Sequence, residues 1–227
     1  MNNPRTPRGL KLESLEDRKL MAGNVTAGLE SRDLWIRGDN RDNHIEIRQL
    51  ANLGQFRITG LAGTTVNGRS FVDITTPTTD VHIRMNGGND RVDLGSPVGS
   101  RPARMEDLTV DMGTGSDTFV MANAVVTDPV DDSIIQMGGS ENDSDVVNLI
   151  ATQFNSNARI STGGGNDWVF LNQVNVRRQL NVQTGNGNDY VALTDAVFAN
   201  SMIDGGAGND ELVRRRGNAV SARNFER

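Results

Sequence analysis

Residues 184–192 read TGNGNDYVA, and close copies stand at 162–170 (TGGGNDWVF), 112–120 (MGTGSDTFV) and 205–213 (GGAGNDELV). Glycines and an Asn or Ser, then an Asp, then an apolar residue two places on, form the grammar of a tight turn feeding a strand. The Asp closing each turn is Asp90, Asp117, Asp145, Asp167, Asp189 and Asp210, at intervals of 27, 28, 22, 22 and 21 residues. The short intervals set the period, and the long ones carry insertions such as GSPVGSRPARMED at 95–107.

Alternation flanks every turn. Before it run Val81, Ile83 and Met85, Leu108, Val110 and Met112, and Leu180, Val182 and Thr184. After it run Val92 and Leu94, Phe119 and Met121, Val147 and Leu149, Val169 and Leu171, and Val191 and Leu193. Period two on both sides of a glycine turn means strand, turn, strand. A third apolar patch follows in several units (AVV at 124–126, VNV at 174–176, AVF at 196–198). A lone hairpin explains one unit but not a sustained period, because short strands bury their apolar face only by stacking on their neighbours. The expected fold is therefore all-β, a right-handed parallel β-helix or solenoid with coils of about 22 residues and about three strands each. Six coils at the spacing of neighbouring strands make a rod body about 29 Å long.

The organisation expected along the chain is a mobile segment over 1–31, a β cap or atypical first coils over 32–80, the repeats over 81–213 and a charged cap or tail over 214–227. GDNRDNHIEI at 38–47 reads as a decayed copy of the glycine turn. Around 138–147, GGSENDSDVV carries inserted residues, so Asp143 and Asp145 compete for the closing role.

Composition agrees with a turn-rich β protein: 227 residues, 25 glycines, 6 prolines and only 4% aromatics. The net charge is −6, and because residues 1–22 carry +2, the remainder carries −8. An acidic body disfavours the phosphate backbone of nucleic acids and suits cations or neutral partners. There is no cysteine, hence no disulfide and no thiolate metal site. No apolar run is long enough to span a membrane as a helix.

The turn resembles the RTX, or haemolysin-type, calcium-binding nonapeptide G-G-x-G-x-D-x-U-x. Gly205, Gly206, Gly208, Asp210 and Leu212 match it throughout; the copies at 162–170 and 184–192 depart only at Thr162 and Thr184, and that at 112–120 opens on Met112. The resemblance implies Ca²⁺ held by turn carbonyls and the closing Asp, with Gly163, Gly165, Asp167, Gly185, Gly187, Asp189, Gly206, Gly208 and Asp210 as the best set, joined by Asp117 and Asp90. Calcium takes six to eight hard oxygens, which a glycine turn can aim inward. RTX nonapeptides follow one another directly, whereas here one occurs per coil, so at most one edge holds an ion ladder. A purely structural Asn/Asp ladder, in which these side chains bond neighbouring backbone, is the competing reading.

Two further stretches bear on function. Trp168 and Tyr190, one period apart, fall in one outward column beside Phe170, which reads either as a partner-binding face or as aromatic packing between coils. No compact acid–base constellation emerges from Asp93, Asp111, Asp204, Arg177 and Arg178, and His44 and His82 lie outside any catalytic motif, His82 reading as a solvated strand residue. The chain is read as non-enzymatic, with a polysaccharide lyase or hydrolase as the alternative. LESLEDRKLMAG at 12–23 lacks the apolar core of a secretory signal and by spacing forms a short amphipathic helix. It is similar to the LEPR-xLL sorting segment of planctomycete envelope and extracellular proteins, through Leu12-Glu13, Arg18 and LMA at 20–22, with Ser14 where Pro is common. That resemblance implies an extracellular or cell-envelope location, with polysaccharide or envelope proteins as partners.

Overall fold

A computed structural model describes residues 23–140, 142–217 and 220–226. The described residues are all-β, and no helix occurs among them, hence none long and apolar enough to cross a membrane. Nineteen strands join through one network of pairings.

From residue 81 onward each described strand pairs in parallel with its counterpart one repeat on. Val81–Arg84 pairs with Leu108–Asp111, that strand with Ser133–Gln136, and that in turn with Ala158–Gly164. After the glycine turn, Arg91–Gly95, Thr118–Val126, Val146–Phe154, Trp168–Asn172, Tyr190–Asp204 and Glu211–Gly217 form a second column. In register, Val146 faces Trp168 and Trp168 faces Tyr190, a step of 22 residues both times. The third apolar patch stacks as well, with Met105, Val126, Phe154, Val176 and Phe198 in one column.

The alternation chooses which side chains go inside. Ile36, Ile83, Val110, Ile135, Ile160, Val182 and Ile203 form one buried column, and Ile45, Val92, Phe119, Val147, Val169 and Val191 another. Each such side chain contributes on the order of 2 kcal/mol of apolar burial, and stacking makes that burial continuous.

Residues 24–30, expected within a mobile segment, instead form a strand (Asn24–Glu30) antiparallel to Asp33–Arg37. The local cause is the alternation of buried Val25 and Ala27 with exposed neighbours. Residues 12–22, which carry the sorting-like motif, lie outside the described residues. Asp33–Arg37 and His44–Gln49 stack in parallel beneath Val81–Arg84 and Arg91–Gly95, while Phe56–Leu61 and Phe71–Ile74 fold back antiparallel over that end. At the far end Arg214 to Arg216 belong to a paired strand whose side chains reach solvent, and residues 220–226 return over the last turn.

The glycines make the stacking possible. Gly185 and Gly187 hold φ of +103° and +130°, and a Cβ there would collide with the carbonyl oxygens of Gly163 and Gly165 in the preceding repeat. Between the second and third strands lies a left-handed corner without glycine: Asn123, Ala151, Gln173, Asp195 and Arg216 all have φ between 48° and 59°.

Candidate functional site: the stacked aspartate corner

The closing aspartates form one column. Asp90 Oδ1 accepts the Asn43 N–H at 2.7 Å, and Asp117 Oδ1 accepts the Asp90 N–H at 2.7 Å. Asp145 serves Asp117 and Asp167 serves Asp145, both at 2.8 Å; Asp189 serves Asp167 and Asp210 serves Asp189, both at 2.9 Å. The column ends on Glu226, which takes the Asp210 N–H. Every closing Asp therefore fixes the repeat before it.

The Asn or Ser ahead of the Asp binds in the opposite sense. Asn166 Oδ1 accepts the Asn188 N–H at 2.7 Å, Asn188 Oδ1 accepts the Asn209 N–H at 2.9 Å, and Asn89 and Ser116 do the same near the other end. The structural ladder expected as the competing reading thus accounts for the Asn side chains and for one oxygen of each Asp.

It does not account for the other oxygen. Oδ2 of Asp90, Asp117, Asp145, Asp167, Asp189 and Asp210 is buried without a hydrogen-bond partner, in residues no more than 2% exposed. Orphaned buried carboxylate oxygens are rare, since each costs a large desolvation penalty. At a strand spacing of about 4.8 Å, neighbouring charged carboxylates repel by on the order of 3 kcal/mol at an effective dielectric near 20. Burial accordingly pushes these acids up, Asp117 to about 8, Asp90 and Asp145 to about 7 and Asp167 to about 6; charged neighbours in the column add to the rise at Asp117, Asp145 and Asp167, and Asp42 and Asp39 add to it at Asp90. Asp189 and Asp210 are raised by burial as well. A buried carboxylate oxygen without a protein partner in each of several stacked corners is a donor set that fits a hard cation.

The insertions do not interrupt the column, in which Asp90, Asp117 and Asp145 continue the stretch formed by Asp167, Asp189 and Asp210. The insertion at 95–107 lies in another connection, and the corner that holds extra residues, 138–145, still presents Asp145 in line with Asp117 and Asp167. Between the competing residues, Asp145 closes the corner. Asp143 takes a glycine's place in the stack, its carbonyl under Gly165, and its Oδ2 accepts the N–H groups of Ser140 and Gly115. Asn43 occupies the corresponding position at the first turn, its amide donating to the Arg41 carbonyl and to Asp39 Oδ1.

The aromatic column is present in part. Trp168 is 39% exposed and in register with Tyr190, but the ring contact is between Phe170 and Tyr190, with centroids 5.8 Å apart and planes tilted by 49°. A depression of about 300 Å³ beside them is lined by Asn148, Ile150, Phe170, Asn172, Ala192 and Thr194.

His82 is not simply solvated. It is half-buried and stacks on Trp35 at 4.3 Å, and with Asp33 and Asp80 it brings one ligand atom each to within 4.8 Å of one another. Asp33 accepts the Thr79 hydroxyl at 2.7 Å, and the Asp80 carboxyl is raised by burial and by Asp33. Sequence reading missed this group because Asp33 and Asp80 become neighbours only through parallel pairing across 47 residues. His44 pairs with Asp93 at 3.0 Å, and Arg177 and Arg178 are exposed.

Compared with known proteins, the chain matches no protein-family model, no curated protein and no solved structure.

Proposed function

We propose that the chain is a right-handed parallel β-solenoid, stepping about 22 residues per coil, whose glycine–aspartate corners bind Ca²⁺. We place it outside the cell or in the envelope, as a non-enzymatic element of surface structure or adhesion. The observation that carries the reading is the row of buried Oδ2 atoms without partners. Bound calcium supplies positive charge where six buried carboxyl groups crowd one column, and millimolar external calcium is enough for weak sites of this kind. Its holders would be closing aspartates of the column, Asp167 and Asp189 foremost, together with turn carbonyls. The resemblance of the turn to RTX nonapeptides and of residues 12–22 to envelope-sorting segments supports the location.

Thermal melting with calcium, magnesium or chelator tests the reading. Calcium at one hundred times its dissociation constant should add about 2.7 kcal/mol per site, and so raise the melting temperature by about 5–10 °C. Identical melting curves in calcium and in chelator would remove the proposal.

A second reading, polysaccharide binding or cleavage, rests on the exposed Trp168 and the depression beside Phe170. Trp168→Ala should leave melting within about 0.5 kcal/mol of the parent, as surface changes do. On this reading it abolishes retardation in gels containing acidic or neutral polysaccharide. Equal retardation of parent and variant speaks against that face as a sugar platform.

A further inference from the structure

The six corners differ in the residue that opens them: Met85, Met112 and Met137 in the first three, then Thr162, Thr184 and Gly205. All of these are buried, the methionines and threonines completely. At the last three corners the opening residue lies against the closing carboxylate, and the methionines hold the same place in the repeat. At Gly205 a Cβ would stand 2.8 Å from Asp210 Oδ2, and the Thr162 and Thr184 hydroxyls lie beside the Asp167 and Asp189 carboxyl groups.

Resting on the calcium reading above, we infer that the ions are confined to the two threonine corners and that Thr162 and Thr184 select them. Calcium requires hard oxygen donors, and a methionine offers hydrocarbon and a soft thioether in their place. At the threonine corners three oxygens converge. The Thr162 hydroxyl donates to the Thr184 carbonyl at 3.0 Å and lies beside Asp167, whose Oδ2 has no partner. One repeat on, the Thr184 hydroxyl donates to the Gly205 carbonyl at 2.7 Å and lies beside Asp189, whose Oδ2 is likewise free. Each hydroxyl has a single proton, which the carbonyl and the adjacent carboxyl group share, and its oxygen keeps lone pairs for a cation. The last corner has no side-chain oxygen at its opening position, and the adjacent Asp204 is taken by Arg223 and Asn224. The methionine corners share the glycines and the Asp, so the opening residue is what separates the two halves of the column.

Calcium titration of the full metal-stripped chain by calorimetry and equilibrium dialysis tests this. The expected stoichiometry is two ions per chain. Thr162→Val and Thr184→Val should each remove one ion or weaken it by about tenfold or more, while Thr162→Ser and Thr184→Ser retain both. Asp117→Asn, in a methionine corner, should bind as the parent does, whereas Asp189→Asn should lose an ion. Five or six ions in the parent, an ion lost in Asp117→Asn, or valine variants that titrate like the parent would each overturn the inference and leave the calcium reading standing. A parent that binds no calcium overturns the calcium reading itself. Should the valine variants melt far below the parent in chelator, the serine pair and Asp117→Asn decide on their own.

Discussion

Gly185→Ala should lower stability by about 3–5 kcal/mol, seen as a fall of about 10 °C or more in melting temperature. Two effects add. At a φ of +103° an alanine occupies backbone space that only glycine uses freely, which costs about 1–3 kcal/mol. The new Cβ also runs into the Gly163 carbonyl, a main-chain atom that cannot turn aside, so two repeats must part. Two other glycines separate these effects. Gly68 has a φ of +72° but open space around its Cβ, so Gly68→Ala should cost only about 1–2 kcal/mol. Gly28, with open space and no left-handed φ, should be neutral or gain up to about 1 kcal/mol as alanine. If all three variants lost the same stability, close stacking of the corners would not be what the glycines provide.

That contrast also explains how much could be read beforehand. The glycine corner was legible because two local demands, left-handed backbone and close approach, both select one residue type. The inward columns were legible because one face of each strand is buried, which writes Val169 and Leu171 or Val191 and Leu193 as plain alternation. The other corner left no such trace. Asn123, Ala151, Gln173, Asp195 and Arg216 hold similar left-handed φ in five different side chains, since no neighbouring carbonyl demands glycine there. Residues 24–30 were missed because the alternation of their strand covers only Val25 and Ala27 before turning exposed. At the site, the Asp column followed from the period alone. What the period could not reveal is that each carboxylate divides its work, one oxygen spent on the preceding repeat and one left over. Nor could it pair Asp33 with Asp80, which needs the three-dimensional register.

In chelator the protein should melt highest near pH 4–5 and progressively lower towards pH 8. Asp167, Asp90, Asp145 and Asp117 have folded values of about 6, 7, 7 and 8, above the ordinary carboxyl value of about 3.9. Between pH 4 and those values the folded chain holds protons that the unfolded chain has released, so stability declines as pH rises through the window. Asp39, Asp132 and Asp204, held low by hydrogen bonds, act oppositely and set the decline on the acid side. On the proposed reading calcium would supply charge directly at its corners, so the gap between calcium and chelator should widen with pH. Asp117→Asn isolates one rung, because an amide keeps the oxygen that accepts the Asp90 N–H and never ionises. The chain already tolerates this at Asn43, an amide in the same column. The variant should therefore match the parent at pH 4.5 and melt above it at pH 8 in chelator. Equal melting of variant and parent across the whole range would mean that the Asp117 carboxylate ionises in the folded chain without cost. The orphaned oxygen would then have found its partner without a proton or a metal ion, and the repulsion assigned to the column would be absent.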